Sequence, residues 1–554
     1  MPTSVGSESR QFTKESNLTT MKTALTIKNY RCFPDSKPLS FTLQEGLTGL
    51  LGINNSGKST LLRFFLEFRS LFGLFTSATG NFINALMNKT ENCHFHPSVE
   101  DHQEIFCNGN DRDLEIKFQF HLPDVHSIEP RTATQLTLSI YRKTRLFGAK
   151  LYVEGSEVTF IQSKPLEFKE SRLVYAGQTK PETLADLKLV FELGNDLYQS
   201  LYIGSFRNPI NVGAKDDYYD IKVGQAFIRD WRNYKTGSNK EHNERAFRVI
   251  EDVKKIFGFH SLDINPSSND LTLQLFINGK SFRLSELGSG LAHFILVLAN
   301  VAIRQPTYVL IDEPELGLHP SLQLDFLTTL NSYAKKGVIF ATHNYGLARA
   351  SADLVYSFLR NPDEGSVVKP LESTPRLSEF LGELSYSGYQ ILGFDKVLLV
   401  EGISEVKTIQ QFLRQLRKDH QIVILPLGGK QFINANCEDQ LQELRRISTN
   451  IYAIIDSEKK SPNATLEKAR QEFEAVCMKT GIQCHILTMR ATENYLTEAA
   501  IKQVMGQNYR ALGAYDALSD LKPSWSKTDN WRIARAMSLA DWESTDLGNF
   551  LKAI

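Results

Sequence analysis

Two sets of residues in this sequence have the types and spacing to do chemistry. The first is Gly52-Ile53-Asn54-Asn55-Ser56-Gly57-Lys58-Ser59-Thr60, which reads G-x-x-x-x-G-K-S. Glycines let a backbone curl until several N–H groups point inward at phosphate oxygens, and the following helix adds its positive end. In that arrangement Lys58 reaches the β- and γ-phosphates and Ser59 holds Mg²⁺, while Gly52, Asn54, Asn55, Ser56, Gly57 and Thr60 complete the loop. Further on, four apolar residues, Val309, Leu310, Ile311 and the preceding Tyr308, run into Asp312-Glu313. Asp312 at the end of such a buried strand holds Mg²⁺ through water, and Glu313 is placed to activate an attacking water. His343, in Thr342-His343-Asn344, follows a second apolar run, where it can touch a γ-phosphate. The chemistry is binding and hydrolysis of ATP.

The second set is acidic and lies after residue 392. Glu401 ends the apolar run Lys396–Val400, Glu405 opens the segment behind it, and Asp456 and Glu458 follow the apolar run Ile451–Ile455. Hard oxygen ligands without Cys or His select Mg²⁺ or Mn²⁺. Two such ions about 4 Å apart clamp a phosphodiester for in-line attack. Glu493 is a further candidate ligand or else an acid at a helix N-terminus, and Lys527 is placed to offset charge on a scissile phosphate, with Arg532 and Arg535 as rivals.

Strands and helices must bring these residues together. Apolar segments at 23–29 and 39–51 lead into the glycine loop, and one helix is expected from Lys58 to about Phe75. Leu114–His121 and Ala133–Tyr141 alternate like strands, 182–202 has a helical pattern, and 260–266 with 271–277 reads as a hairpin. Leu287-Gly288-Ser289-Gly290 opens a helix to Ile303, shortly ahead of Asp312. The expected fold is α/β. A tail or leader occupies 1–20, a nucleotide-binding domain 21–360 with an inserted helical and strand lobe at about 80–257, a linker 361–392, and a second parallel α/β domain 393–554. Open sheets carry their sites at strand carboxyl ends, which is how Glu401 and Asp456 can converge.

Charge is balanced, with 63 basic and 63 acidic residues, so any nucleic-acid surface is a local patch rather than a global field. The six cysteines are scattered, which suits reduced thiols in the cytoplasm, and the Ser/Thr-rich start lacks the apolar core of a signal peptide. Gly290–Ile303 is too short to cross a bilayer, so a soluble protein is expected, without membrane contact. Several residues have two readings. Arg31 and Arg207 can sense nucleotide or form salt bridges; Cys93, His94, His96, His102 and Cys107 can form a zinc site or a polar loop. The cations of 226–257 with Phe227, Trp231, Tyr234 and Phe247 suit either a strand-tracking groove or solvated helix faces.

The first motif set, in this order, resembles the ATP-binding-cassette class of P-loop ATPases, over residues 21–360. That resemblance implies a head-to-tail dimer in which Ser289 acts in trans. The signature is Gly-Ser-Gly rather than Ser-Gly-Gly-Gln and no Q-loop glutamine stands out, which points to an SMC-like or DNA-repair cassette. The second set, E-G-x-x-E followed by D-x-E, resembles a TOPRIM domain, with Glu458 in place of the usual aspartate. Together they resemble the OLD family of ATP-coupled nucleases, akin to the Gabija nuclease and to OLD-type retron effectors. The resemblance implies an antiphage DNA endonuclease. Its metal site would comprise Glu401, Glu405, Asp456, Glu458 and Glu493 with Lys527 assisting. Its ATPase would form a homodimer or larger homo-oligomer, and a retron reverse transcriptase with its RNA–DNA hybrid would be a partner. A DNA clamp with an inactive TOPRIM domain and a primase-like enzyme are the alternative readings.

Overall fold

The computed structural model describes residues 22–554 except 53, 77–79, 88–89, 122–130, 162, 178–181, 206–216, 362–364, 372–395, 420, 429–437 and 448–449. Arg207, the tail and most of the expected linker lie outside the described residues.

The element that positions the glycine loop is a six-stranded sheet. Its order is Leu201–Ile203, Tyr308–Asp312, Gly337–Thr342, Gly46–Gly52, Leu354–Asn361 and Gly365–Pro370, parallel except for the last strand. Tyr308–Asp312 and Gly337–Thr342 are buried along their whole length, as central parallel strands covered on both faces must be. Residues 39–51 are divided between two strands. Leu39–Leu43 joins an antiparallel sheet, the chain turns at Gly46 (φ 98°), and Gly46–Gly52 enters the parallel one.

The antiparallel sheet runs Leu39–Leu43, Lys22–Lys28, Leu114–His121, Ala133–Ile140, Leu146–Val153 and Glu91–Asn92. Helix Lys58–Glu67 is held between the two sheets by an aromatic core, with Phe65 against Phe41 and Phe64 against Phe68 and Phe72. The expected long helix breaks at Phe68 (φ −97°, ψ 11°), whose ring packs on Tyr30 and Phe95, and resumes as Arg69–Gly73. Likewise only Lys188–Tyr198 of the 182–202 stretch is helical, because Leu201–Ile203 is taken into the parallel sheet.

Helices Gly224–Thr236, Lys240–Ile256, Ser289–Arg304 and Pro320–Tyr333 cover the other face. Phe227, Trp231 and Tyr234 are core residues there, so they offer no stacking surface; Phe247 alone of the four aromatic residues is exposed. Arg232, Lys235, Arg245 and Lys254 are ion-paired with Asp270, Asp263, Glu241 and Glu251. The stretch is thus a helix pair with three of its aromatic residues in the core, four of its cations ion-paired and Phe247 exposed.

A second sheet, all parallel, has the order Ile422–Pro426, Lys396–Val400, Ile451–Ile455, Gln483–Ile486. Helices Ile403–Gln415, Asn530–Ala536 and Asp546–Ala553 pack on one face, and Glu438–Ile447 and Lys468–Thr480 on the other. Leu324 of helix Pro320–Tyr333 belongs to the first of these cores. The two sheets are also tied by ion pairs: Arg414 to Asp325, Lys407 to Asp353 (3.1 Å) and Arg535 to Asp252 (2.9 Å). Among the described residues no helix is long and apolar enough to cross a membrane.

Candidate functional site

At the first sheet the loop has the shape its glycines dictate. Asn55 (φ 64°) and Gly57 (φ 104°) are in the left-handed region, and a Cβ on Gly57 would sit 2.9 Å from the Phe33 ring and 3.0 Å from the Cys32 sulfur. Lys58 Nζ donates to the Gly52 carbonyl at 2.7 Å, which folds the lysine back over its own loop. Burial lowers its pKa against the opposing pull of Asp312, Glu313 and Glu315. Asp312, raised chiefly by burial, accepts a hydrogen bond from Ser59, so the two expected Mg²⁺ holders are in contact. Asn54 and Asn55 are exposed, Ser56 is buried, and the Thr60 carbonyl accepts from Tyr30 Oη at 3.3 Å. Glu313 takes φ 52° and its N–H donates to the Ala341 carbonyl at 2.8 Å. Ser289 is exposed at the start of its helix, against the turn at Gly317. Arg31 is drawn to Glu67 at 2.6 Å, the salt-bridge reading.

Sequence reasoning missed Glu315. It is buried, its pKa is raised by that burial, and its Oε1 accepts from Thr342 Oγ1 at 2.5 Å and lies 3.4 Å from His343 Nδ1. The signal was present, two residues beyond Glu313, but a Pro-Glu-Leu-Gly turn reads as solvent-facing.

At the second sheet, ligand atoms of Glu405, Asp456 and Glu493 lie within 4.8 Å of one another, and all three residues are buried. Gly402 makes this possible for Glu405: Glu405 Oε2 lies 3.0 Å from where a Cβ on Gly402 would be. Asp456 ends strand Ile451–Ile455, and its Oδ1 accepts from the Thr492 N–H and hydroxyl at 3.0 and 3.2 Å. Its pKa is raised well above the usual range by burial and then by the neighbouring Glu401, Glu405 and Glu493. Glu405 is raised too, chiefly by burial, with Lys527 acting against it. Lys527 Nζ lies 2.9 Å from Glu493 Oε1. Burial alone would lower this lysine; attraction to Glu493, Asp456 and Glu405 overcomes it and holds the pKa above its ordinary value. Arg532 is taken by Asp529 and Arg535 by Asp252, which removes both rivals.

Two expected ligands stand apart from the trio. Glu401 Oε1 accepts from the Asp456 N–H at 2.8 Å and is ion-paired with Arg470, which also donates to the Asp456 carbonyl. Glu401 thus braces the backbone of Asp456. Glu458, at φ 52°, turns its carboxylate to Arg490 at 3.3 Å. Among the described residues the trio is the one acid, His or Cys group with ligand spacing, so Cys93, His94, His96, His102 and Cys107 do not assemble into a site.

Residues 47–349, more than half of the chain, match the family model "AAA domain, putative AbiEii toxin, Type IV TA system". The chain belongs to that family. A curated relative, an OLD nuclease from Thermus scotoductus, is 24% identical over 446 residues, covering 73% of this chain and 77% of its own length. The OLD-family resemblance drawn from the motifs is borne out by that relative. Among solved structures, the SMC head domain from Thermotoga maritima is 16% identical (TM-score 0.31) and covers 64% of this chain and 99% of its own. An Smc head domain derived from Pyrococcus furiosus, bound to a ScpA C-terminal domain, is 12% identical (TM-score 0.34), covering 66% and 98%. The P-loop ATPase fold rests on the family match and on the six-stranded sheet.

Proposed function

We propose that the chain is an ATP-regulated, divalent-metal-dependent DNA endonuclease whose C-terminal sheet is a TOPRIM domain. The observation that carries this reading is the buried trio Glu405, Asp456 and Glu493 with Lys527 beside it. Three hard oxygen donors without nitrogen or sulfur fit Mg²⁺ or Mn²⁺. Glu493 Oε2 is buried without a hydrogen-bond partner among the described residues, as a ligand atom awaiting a cation would be. A bound ion supplies Lewis-acid stabilisation to a phosphodiester. The protein's own share is orientation and charge. Thr492 and the Glu401–Arg470 pair fix Asp456, and Lys527 offsets the negative charge of the trio and of an incoming phosphate.

The nucleotide site would hold MgATP through Lys58, Ser59 and Asp312, with Glu313 and His343 at the terminal phosphate and Ser289 serving the site of a second copy in a homodimer or larger assembly. An OLD nuclease as relative favours a nucleic-acid substrate, which we take to be DNA; an antiphage role and a retron-type reverse transcriptase with its RNA–DNA hybrid as partner rest on the motif resemblance alone.

The test is cleavage of duplex and single-stranded DNA with Mg²⁺ or Mn²⁺, with and without ATP. Cutting that needs the metal, vanishes in Asp456→Ala and responds differently to ATP in Lys58→Ala is expected. Cutting that survives Asp456→Ala overturns the metal site. A wild type that binds DNA under ATP control without cutting it favours a clamp.

A further inference from the structure

The turn after Asp312 buries a carboxylate for which the reading above has no use. Glu315 is only 8% exposed, and its Oε2 has no hydrogen-bond partner among the described residues. Burying such a group costs free energy unless the fold uses it. Its other oxygen is engaged in an ordered way. Thr342 Oγ1 accepts from the Asn344 N–H at 2.9 Å, so the single hydroxyl proton of Thr342 points at Glu315, over a short 2.5 Å contact. Asn344 in turn caps helix Tyr345–Ser351 through the Leu347 N–H at 3.1 Å. Residues on both sides of His343 are thereby fixed, and its Nδ1 lies 3.4 Å from the same Glu315 oxygen. Glu315 also lies close enough to Lys58 to act on its charge, which puts this network at the nucleotide loop.

We propose that Glu315 is a positioning residue of the ATPase site: it takes Nδ1 of His343 as its partner, fixes the imidazole plane through Thr342, and leaves Nε2 to face the nucleotide. The proposal rests on the ATPase reading above. A histidine whose second nitrogen is held by a carboxylate keeps one tautomer and one orientation. Glu315 therefore contributes through His343 and makes no contact of its own with the reacting atoms.

Steady-state ATP turnover of the full chain with Mg²⁺ tests this in wild type, Glu315→Gln, Glu315→Ala, His343→Ala and the doubles of each Glu315 variant with His343→Ala. Glu315→Ala is expected to lower kcat about 10-fold or more while KM for ATP moves less than about threefold, as for loss of an orienting partner. Glu315→Gln, whose amide oxygen still accepts, should stay within about fivefold of wild type. In the His343→Ala background either Glu315 change should be neutral to about twofold. Losses that multiply in the doubles overturn the proposal, as does Glu315→Gln being as damaging as Glu315→Ala, which would make the carboxylate itself the reacting base. If Glu315→Ala does not fold, Glu315→Gln with and without His343→Ala still decides by the same neutrality. Absence of turnover in wild type, or turnover that survives in Lys58→Ala, refutes the ATPase reading instead.

Discussion

The two candidate sites are alike in plan and opposite in construction. Each lies at the carboxyl ends of parallel strands, and each joins buried acids to a lysine. In the nucleotide site the backbone does most of the work. The loop from Gly52 to Gly57 is shaped by local torsions, and Lys58 folds onto the Gly52 carbonyl, six residues away. In the acidic site side chains do the work, from Glu405, Asp456, Glu493 and Lys527, which meet only because a sheet and two further loops converge. The acids are buried and close to one another, and burial first, then repulsion from Glu401, Glu405 and Glu493, holds the Asp456 pKa well above the usual carboxylate range.

That contrast can be broken experimentally. The largest effect is expected for Asp456→Ala, which should cut metal-dependent DNA cleavage by about 10³-fold or more while leaving ATP turnover near wild type; loss of both would mean the sites are not separable. Next come the lysines. Lys58→Met should lower ATP turnover about 10²-fold with loss of nucleotide binding, whereas Lys527→Met should slow cleavage about 10-fold without weakening Mn²⁺ binding by calorimetry, since it frees Glu493. Weaker Mn²⁺ binding in Lys527→Met would remove the distinction. Glu401→Ala should cost about 3 kcal/mol in denaturant unfolding, because it leaves Arg470, only 2% exposed, with the exposed Glu467 at 3.9 Å as its remaining counter-charge.

His293 offers a smaller, pH-dependent effect. Burial pushes its pKa down to about 4, so the fold favours the neutral ring. That contribution is complete above the ordinary value near 6.5 and is lost as pH falls from there toward 4, by about 3 kcal/mol. His293→Gln should flatten the acid limb of thermal stability measured between pH 7 and 4.5. Smallest of all, Phe247→Ala on the exposed face of helix Lys240–Ile256 should leave cleavage within about twofold of wild type, measured on the same DNA; a large loss would restore that face as a DNA surface.

The nucleotide loop, the two acids after Tyr308–Ile311 and strands Lys396–Val400 and Ile451–Ile455 of the second sheet were legible because each is contiguous and its hydrophobic run is complete. What was not legible depends on partners distant in sequence. Glu458 and Glu401 carry the right charge at the right strand ends, but the structure pairs them with Arg490 and Arg470 outside the Glu405–Asp456–Glu493 trio. Nothing local announces those arginines. For Phe227, Trp231 and Tyr234 a stacking groove and an ordinary helix face stay open in the sequence, because a helix sequence shows its aromatic residues without showing which neighbours cover them. Glu315 was passed over for the converse reason: a turn residue that tertiary contacts bury.

One side chain described above has a thermodynamic consequence. Asp353 accepts from the Leu47 N–H at 2.8 Å through one oxygen and from Lys407 Nζ at 3.1 Å through the other. Leu47 belongs to the strand that ends in the nucleotide loop, and Lys407 lies on the same helix as Glu405. A single carboxylate therefore staples the elements that carry the two candidate sites, and neither can open locally without breaking a bond that the other shares. The slowest-exchanging amides of strand Gly46–Gly52 and helix Ile403–Gln415 should then report one common opening free energy, as a single cooperative unit of the kind seen in native-state hydrogen exchange.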